Sequence, residues 1–144
     1  MKAAVLTELN RPLVVEEVGL TDLDYGQVLV KVSASGICGA QLMEIAGEKG
    51  NAKFLPHLMG HEGVGVVQET GIGVTRVKIG DKVVMHWRKA GGIEAPFPRY
   101  EFRGKTIPSG KVVTLAEYAI CSENRLTPIR HDAPTISARC SGAG

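Results

Sequence analysis

Apolar and polar residues alternate along several short stretches of the chain, and this pattern predicts a protein built mainly of β-strands. The clearest case is residues 27–33, where Val28, Val30 and Val32 share one face and Lys31 and Ser33 lie on the other. Glycine, proline and asparagine mark turns between these stretches. The pattern predicts strands at residues 3–6, 12–18, 27–33, 63–67, 74–77, 83–85 and 111–120.

Helical spacing is clear in one segment only. From Cys38 to Ala46, apolar residues recur at Leu42, Ile45 and Ala46, and Gly47 ends the segment. Residues 88–110 contain three prolines and four glycines with little periodicity, which predicts a long irregular excursion. At least five short strands and one or two short helices favour a mainly β barrel or sandwich.

Composition and charge narrow the function only by exclusion. The chain has 144 residues, enough for a single domain with its own core. Lys and Arg number 17 against 15 Asp and Glu, so the net charge of +2 gives no reason to expect nucleic acid or a membrane as partner. No apolar run reaches the length of a membrane span.

The three cysteines are Cys38, Cys121 and Cys140, which are far apart and form no CxxC pair. A disulfide framework is therefore not expected, and a reducing, cytoplasmic setting is favoured.

Two glycine-rich turns carry the reactive side chains. Cys38 lies within the turn at residues 36–39, and His61 and Glu62 lie within residues 60–65. A thiolate, an imidazole and a carboxylate are the ligand types that zinc uses. Each residue also has an ordinary interpretation, as a small buried thiol, a loop histidine and a solvated carboxylate, so the residues alone leave a metal site open.

The same turns resemble a known family. Residues 60–65, Gly-His-Glu-Gly-Val-Gly, followed by Gly71 and Val74, resemble the signature of the zinc-containing alcohol dehydrogenases. The Gly-Ile-Cys-Gly turn at 36–39, the opening Met-Lys-Ala-Ala-Val-Leu and the Gly-Asp-Lys-Val-Val segment at 80–84 also resemble this family of medium-chain dehydrogenases. The resemblance implies a GroES-like catalytic domain over residues 1–129, folded as a mainly β, partly open barrel, with 130–144 as a tail.

It also implies a site and a reaction. Cys38 and His61 would be zinc ligands, and Glu62 a third ligand or a close neighbour. Zn²⁺ would act as a Lewis acid on the oxygen of a small alcohol, polyol or carbonyl substrate, while a hydride passes to or from NAD(P). The resemblance leaves two kinds of association open, a homo-oligomer or a partner chain that carries the missing cofactor domain.

The segment that follows Cys38 departs from the family pattern at three positions. Ala40 replaces a Thr or Ser whose hydroxyl begins a proton relay, Gln41 replaces an Asp, and Met43 stands where some members have His. The relay is therefore predicted to be absent.

A second departure concerns the lobe after residue 84. Many members hold a structural zinc there on four cysteines, but residues 85–110 contain no cysteine. Only one zinc is therefore expected, and His86 is not expected to be a ligand. Packing of aromatic side chains is predicted to hold the lobe instead: Trp87, Phe97, Tyr100 and Phe102.

The other cysteines and the end of the chain leave questions open. Cys140 lies where many members have a further ligand, but the apolar run that leads to that ligand is missing here, which favours a tail thiol. Cys121 is predicted to be a core or surface residue and not a ligand. Family members continue into a Rossmann domain that binds the cofactor, and these 144 residues do not contain one, so the chain alone is predicted to be inactive. Whether it is a fragment, a truncation or half of a split protein stays open.

Two other function classes compete with a zinc dehydrogenase. One is a zinc-free reductase of the quinone reductase type, and the other is a non-enzymatic GroES-like module. The joint presence of Cys38, His61 and Glu62 favours the zinc enzyme, whereas the missing relay and cofactor domain favour the module.

Overall fold

The computed structural model describes residues 1–130 and 132. In this part of the chain, eleven strands form three antiparallel sheets, accompanied by one short α-helix. The strands are β1 Lys2–Leu6, β2 Val14–Glu17, β3 Gly19–Leu20, β4 Gln27–Ser35, β5 His57–Leu58, β6 Glu62–Thr70, β7 Lys82–His86, β8 Arg99–Phe102, β9 Lys105–Pro108, β10 Tyr118–Ser122 and β11 Leu126–Pro128. The helix, α1, spans Gly39–Ile45, and short 3-10 helices occur at Asn51–Phe54 and Glu123–Arg125.

The largest sheet has the order β10-β4-β6-β7-β11 and carries the strands that lead to the site. Its long central strands, β4 and β6, pair in antiparallel register from Val28↔Thr70 to Ser35↔Gly63. Gly65 is required in this pairing, because a β-carbon there would collide with the carbonyl oxygen of Lys31. The end of β4 and the start of β6 are thereby fixed side by side.

The β4 strand contributes to two hydrophobic cores, one on each side of the large sheet. Val28 and Val30 are fully buried in the first core, with Met85 of β7. Leu29 packs against the second core, which contains Tyr100 and Ile120 and lies towards the smaller sheets β2-β1-β5 and β3-β8-β9. None of the three strand orders returns to its first strand, so the mainly β, partly open barrel is confirmed among the described residues.

The helix α1 confirms the one segment with helical spacing. Cys38 is its N-cap residue, and Ala46 its C-cap. Gly47 follows with a φ of 79°, a left-handed conformation that suits glycine and ends the helix. Among the described residues, no helix is both long and apolar enough to cross a membrane.

Residues 74–77 do not form the predicted strand. The backbone N–H groups of Thr75 and Arg76 each donate to Glu123 Oε1 at 2.6 Å, so a buried carboxylate takes the place of a neighbouring strand. The second oxygen of Glu123 accepts from the N–H of Ile93 at 2.9 Å. One buried side chain thus joins three segments that are distant in sequence.

Two further segments differ from the sequence-based predictions. Residues 99–108 form the β8–β9 hairpin rather than irregular chain, and Arg103 and Gly104 adopt positive φ at its turn. Between 111 and 120, the strand begins only at Tyr118. The preceding Thr114 and Leu115 instead both donate their N–H groups to the carbonyl oxygen of Met59, which ties this segment to the loop before His61.

The prediction that aromatic packing holds the lobe after β7 is only partly confirmed. Tyr100 and Phe102 are buried as expected, but Trp87 and Phe97 are more than half exposed. The Glu94 carboxylate binds Lys89, Lys111 and Arg125, and accepts a hydrogen bond from Asn124. These contacts hold the pKa of Glu94 far below its usual range, and the hydrogen bond from Lys111 has the largest effect. Charge pairing therefore supplements aromatic packing in the lobe.

Candidate metal centre

Cys38 lies at the junction between the large sheet and the helix. Strand β4 ends at Ser35, and Cys38 caps α1 in extended conformation, with its Sγ accepting from the N–H of Ala40 at 3.4 Å. Cap residues present a side chain at a fixed position relative to the helix axis. The thiol is therefore placed by the cap and is partly buried.

His61 and Glu62 are placed by the start of β6. Gly60 precedes them with a φ of 100°, and a β-carbon there would collide with Thr114. Glu62 is the first residue of β6 and pairs with His86 of β7, while the next residue, Gly63, pairs with Ser35 of β4. Both neighbours of β6 thus fix the direction in which His61 and Glu62 project.

The structure brings Cys38, His61 and Glu62 together. Cys38 Sγ lies 3.3 Å from His61 Nε2, and the three ligand atoms all lie within 4.8 Å of one another. With Zn–S about 2.3 Å and Zn–N about 2.0 Å, two ligands of a tetrahedral zinc would be about 3.5 Å apart. The thiol and the imidazole therefore already have a separation that suits one zinc ion, and the carboxylate is within reach.

Glu62 occupies space that Gly36 leaves free. A β-carbon on residue 36 would lie 2.7 Å from both Cγ and Oε1 of Glu62. The N–H of Gly36 also donates to the carbonyl oxygen of Glu62 at 3.0 Å. The first glycine of the Gly-Ile-Cys-Gly turn thus allows the carboxylate to lie beside the cysteine loop.

Gln41 also belongs to the site, although the sequence identifies it only as a departure from the family pattern. Its side chain is 3% exposed, and its Oε1 accepts from the N–H of Cys38 at 2.8 Å. Its Nε2 lies 2.9 Å from His61 Nδ1. The available signal was its position three residues after the N-cap, where Gln and Glu reach back to the cap in a capping box.

The other candidate residues lie apart from this cluster. His86 Nδ1 contacts the carbonyl oxygen of Arg88 at 2.8 Å and its Nε2 contacts Thr127 Oγ1 at 2.9 Å, so both nitrogens are engaged elsewhere. Of the two predicted placements for Cys121, core or surface, the structure shows the core: the residue is fully buried, and burial raises its pKa to about 12, which leaves it an unreactive thiol. Cys140 lies outside the described residues.

A largely apolar cavity of about 430 Å³ lies between β5 and the end of the β8–β9 hairpin. Its walls belong to segments that continue into the site, since His57 precedes His61 by four residues and Leu58 bridges to Ser109. The lining residues are Phe54, His57, Phe97, Pro108, Ser109 and Gly110.

Comparison with known proteins agrees with these observations. Residues 24–131 match the model of the alcohol dehydrogenase GroES-like domain family. An alcohol dehydrogenase of Geobacillus stearothermophilus is 45% identical over 87 residues, which are 60% of this chain and 26% of that protein. An S-(hydroxymethyl)glutathione dehydrogenase of Synechocystis is 39% identical over 83 residues, which are 58% of this chain and 22% of that protein. The chain thus spans about a quarter of the length of these curated relatives.

Solved structures show the same fold at lower identity. An alcohol dehydrogenase zinc-binding domain protein of Burkholderia ambifaria superposes with a TM-score of 0.85 at 23% identity, over 99% of this chain and 45% of that one. A quinone oxidoreductase of Pseudomonas syringae superposes with a TM-score of 0.73 at 21% identity, over 96% of this chain and 36% of that one. Because the family model covers most of the chain, this protein belongs to the alcohol dehydrogenase GroES-like domain family.

Proposed function

We propose that this chain is the zinc-binding catalytic domain of an NAD(P)-dependent alcohol dehydrogenase-type oxidoreductase. Cys38, His61 and Glu62 would hold one Zn²⁺. The observation that carries the proposal is the placement of a thiol, an imidazole and a carboxylate within 4.8 Å of one another. Three protein ligands leave a fourth position for water or substrate, which is the arrangement of a catalytic zinc. Residues 1–129 would form this domain, with 130–144 as a tail.

When bound, the zinc would polarise the oxygen of an alcohol or carbonyl substrate and stabilise the alkoxide. The residues of this chain would then orient that oxygen. Cys38 would be held by the helix cap and His61 by the start of β6, so neither ligand needs to reorganise much during turnover. Ala40 offers no proton, so the alcohol proton would leave through water or another group.

The apolar cavity supports a small substrate with an apolar part. Its walls are mostly aromatic, proline and glycine surfaces, which favour hydrocarbon over charged groups. The nicotinamide cofactor would bind outside the matched quarter of the relatives' length, and we propose that these 144 residues alone are inactive. A reducing, cytoplasmic setting suits the free thiols Cys38 and Cys121. Association as a homo-oligomer, or with a chain that carries the cofactor domain, stays open.

The test of the zinc site is metal content. Purified with reductant and supplied with Zn²⁺, the chain is expected to hold about one zinc, and Cys38→Ser is expected to lose most of it. Cys121→Ser is the matched control, since that thiol is buried and distant from the cluster, and its zinc content is expected to equal that of the wild type.

A metal-free wild type, or zinc retained in full by Cys38→Ser, would contradict the proposal. The first result would favour a zinc-free quinone reductase type or a non-enzymatic module instead. Metal content is measured by atomic emission against protein concentration, and circular dichroism checks that each variant is folded.

A further inference from the structure

Gln41 is a buried amide that bridges two of the proposed zinc ligands. Its Oε1 and Nε2 atoms contact the N–H of Cys38 and the Nδ1 of His61, at 2.8 and 2.9 Å. An amide is not symmetric, because its oxygen only accepts and its nitrogen only donates. The identity of each partner therefore decides which way the amide points.

The Cys38 contact fixes the orientation. A backbone N–H can only donate, so the atom of Gln41 facing it must be the oxygen. The NH₂ group then faces His61 Nδ1 and donates to it. A ring nitrogen that accepts a hydrogen bond carries no proton, so in the neutral imidazole the proton is on Nε2.

In this tautomer, Nε2 carries a proton where a metal would need a lone pair. The Nε2–H group faces Cys38 Sγ at 3.3 Å and can donate to the sulfur, which gives a hydrogen-bonded pair without metal. A cation bound at Nε2 needs the proton on Nδ1, which must then donate to an acceptor. If the amide turned to offer its oxygen to His61, its NH₂ group would face the N–H of Cys38, and two donors would oppose each other.

A carboxylate would not have this conflict. Both oxygens of a glutamate accept, so one could serve the N–H of Cys38 and the other an Nδ1–H of His61. Glu is also as suitable as Gln in a capping box, so the helix start would be kept. The NH₂ group of Gln41 thus favours the tautomer with the proton on Nε2 over the tautomer with the proton on Nδ1.

We propose that Gln41 is a positioning residue that stabilises the metal-free Cys38–His61 pair and lowers the affinity of the site for zinc. This inference rests on the proposed zinc site. It implies that the site exchanges its metal more readily than a site with a carboxylate at this position. Gln41→Glu is expected to bind Zn²⁺ about tenfold more tightly, since partners of metal-bound histidines typically change affinity 10–100-fold.

The experiment compares Zn²⁺ affinities by competition with a chromophoric chelator at neutral pH. Gln41→Glu also adds a negative charge near a cation, so Met43→Glu is the matched control. Met43 lies on the same helix and is 45% exposed, and its substitution adds the same charge without contacting His61. Met43→Glu is expected to change affinity less than about twofold, because exposed charges are screened by water.

A second measurement reads the tautomer directly in the metal-free protein. Long-range ¹H–¹⁵N correlation is expected to show His61 protonated at Nε2 in the wild type and at Nδ1 in Gln41→Glu, with His61→Asn used for assignment. Nδ1 protonation in the wild type would overturn the inference.

The affinity results distinguish this inference from the proposed function. Cys38-dependent zinc binding with equal affinity in wild type and Gln41→Glu overturns the inference alone, as does an equal gain in Met43→Glu. Zinc binding by none of the variants overturns the inference and the proposed function together. A gain confined to Gln41→Glu, with the expected tautomers, supports both.

Discussion

Gly36 and Gly39 flank the cysteine and differ in what surrounds them. A β-carbon on Gly36 would press on the Glu62 side chain, whereas one on Gly39 would have no other atom within 4 Å. Since the obstacle at Gly36 is the flexible end of a side chain, a β-carbon there would move the Glu62 carboxylate and leave the fold largely unchanged.

We therefore expect Gly36→Ala to displace Glu62. Zinc affinity should fall about tenfold if the carboxylate is a ligand, with a change in unfolding free energy of about 1 kcal/mol or less. Gly39→Ala is the control and should leave the affinity unchanged. Chelator competition and thermal unfolding provide the two readouts. Unchanged affinity in folded Gly36→Ala would show that Glu62 is a neighbour of the metal and not a ligand.

At the residue scale, the sequence predicts the ligand cluster but not what surrounds it. Cys38, His61 and Glu62 could be selected because their residue types and glycine-rich turns match a family signature. Gln41 has no such signal beyond its capping position. Its role depends on contacts at both ends of one side chain, with a backbone amide and with a histidine 20 residues away.

At the element scale, local patterns succeed where the pattern itself determines the structure. The helix α1 and strands β4 and β6 match the predictions because their apolar residues repeat at the period of the element, and β7 matches as a short, continuous apolar run. Residues 74–77 do not, since Glu123, which binds the N–H groups of Thr75 and Arg76, lies 47 to 48 residues further along the chain. The β8–β9 hairpin was missed because its strands have four residues each within a proline-rich segment.

The ion pairs of the lobe predict a pH dependence. Lys111 and its neighbours hold the pKa of Glu94 below its usual value, so ionised Glu94 stabilises the folded chain. A folded-state pKa that is lowered contributes stability that is present above the unfolded value, about 4.3, and is lost as the pH falls through the folded pKa. Urea unfolding between pH 7 and pH 2 should therefore show stability declining below about pH 4.

Glu94→Gln isolates this contribution. The variant should be less stable than the wild type at pH 7, and the difference should narrow as the pH falls below about 4, since the unfolded wild-type chain then takes up a proton at Glu94 while the folded chain still holds the charge. Glu48→Gln is the control, because Glu48 is an exposed side chain on a different surface. A difference between Glu94→Gln and wild type that stays constant down to pH 2 would contradict the prediction.

At the scale of the whole molecule, the chain matches about a quarter of the length of its curated relatives. The fold, and the three side chains that meet at the candidate site, could both be predicted because the family signature lies in this quarter. The apolar cavity could not be predicted, since its lining comes from three separate stretches of chain whose meeting depends on the complete fold: residues 54–57, Phe97 and residues 108–110.

The 144 residues, loaded with zinc, are expected to show no NAD(P)-dependent oxidation of alcohols. The proposed cofactor site would lie outside the matched region, so hydride transfer would have no bound acceptor. The measurement is NAD(P)H absorbance with simple and aromatic alcohols at high protein concentration. Turnover that disappears in Cys38→Ser would show instead that these residues bind the cofactor themselves.

The helix cap has a consequence for how the molecule opens. Helix α1 has seven residues, too few to stay helical in water without support at its ends. The same Cys38 that starts the helix faces His61, which directly precedes strand β6, so an ion shared by the two would link the helix to the sheet. Occupancy of the site would then set how often this corner of the molecule unfolds locally, and amide exchange in α1 would become a gauge of metal content.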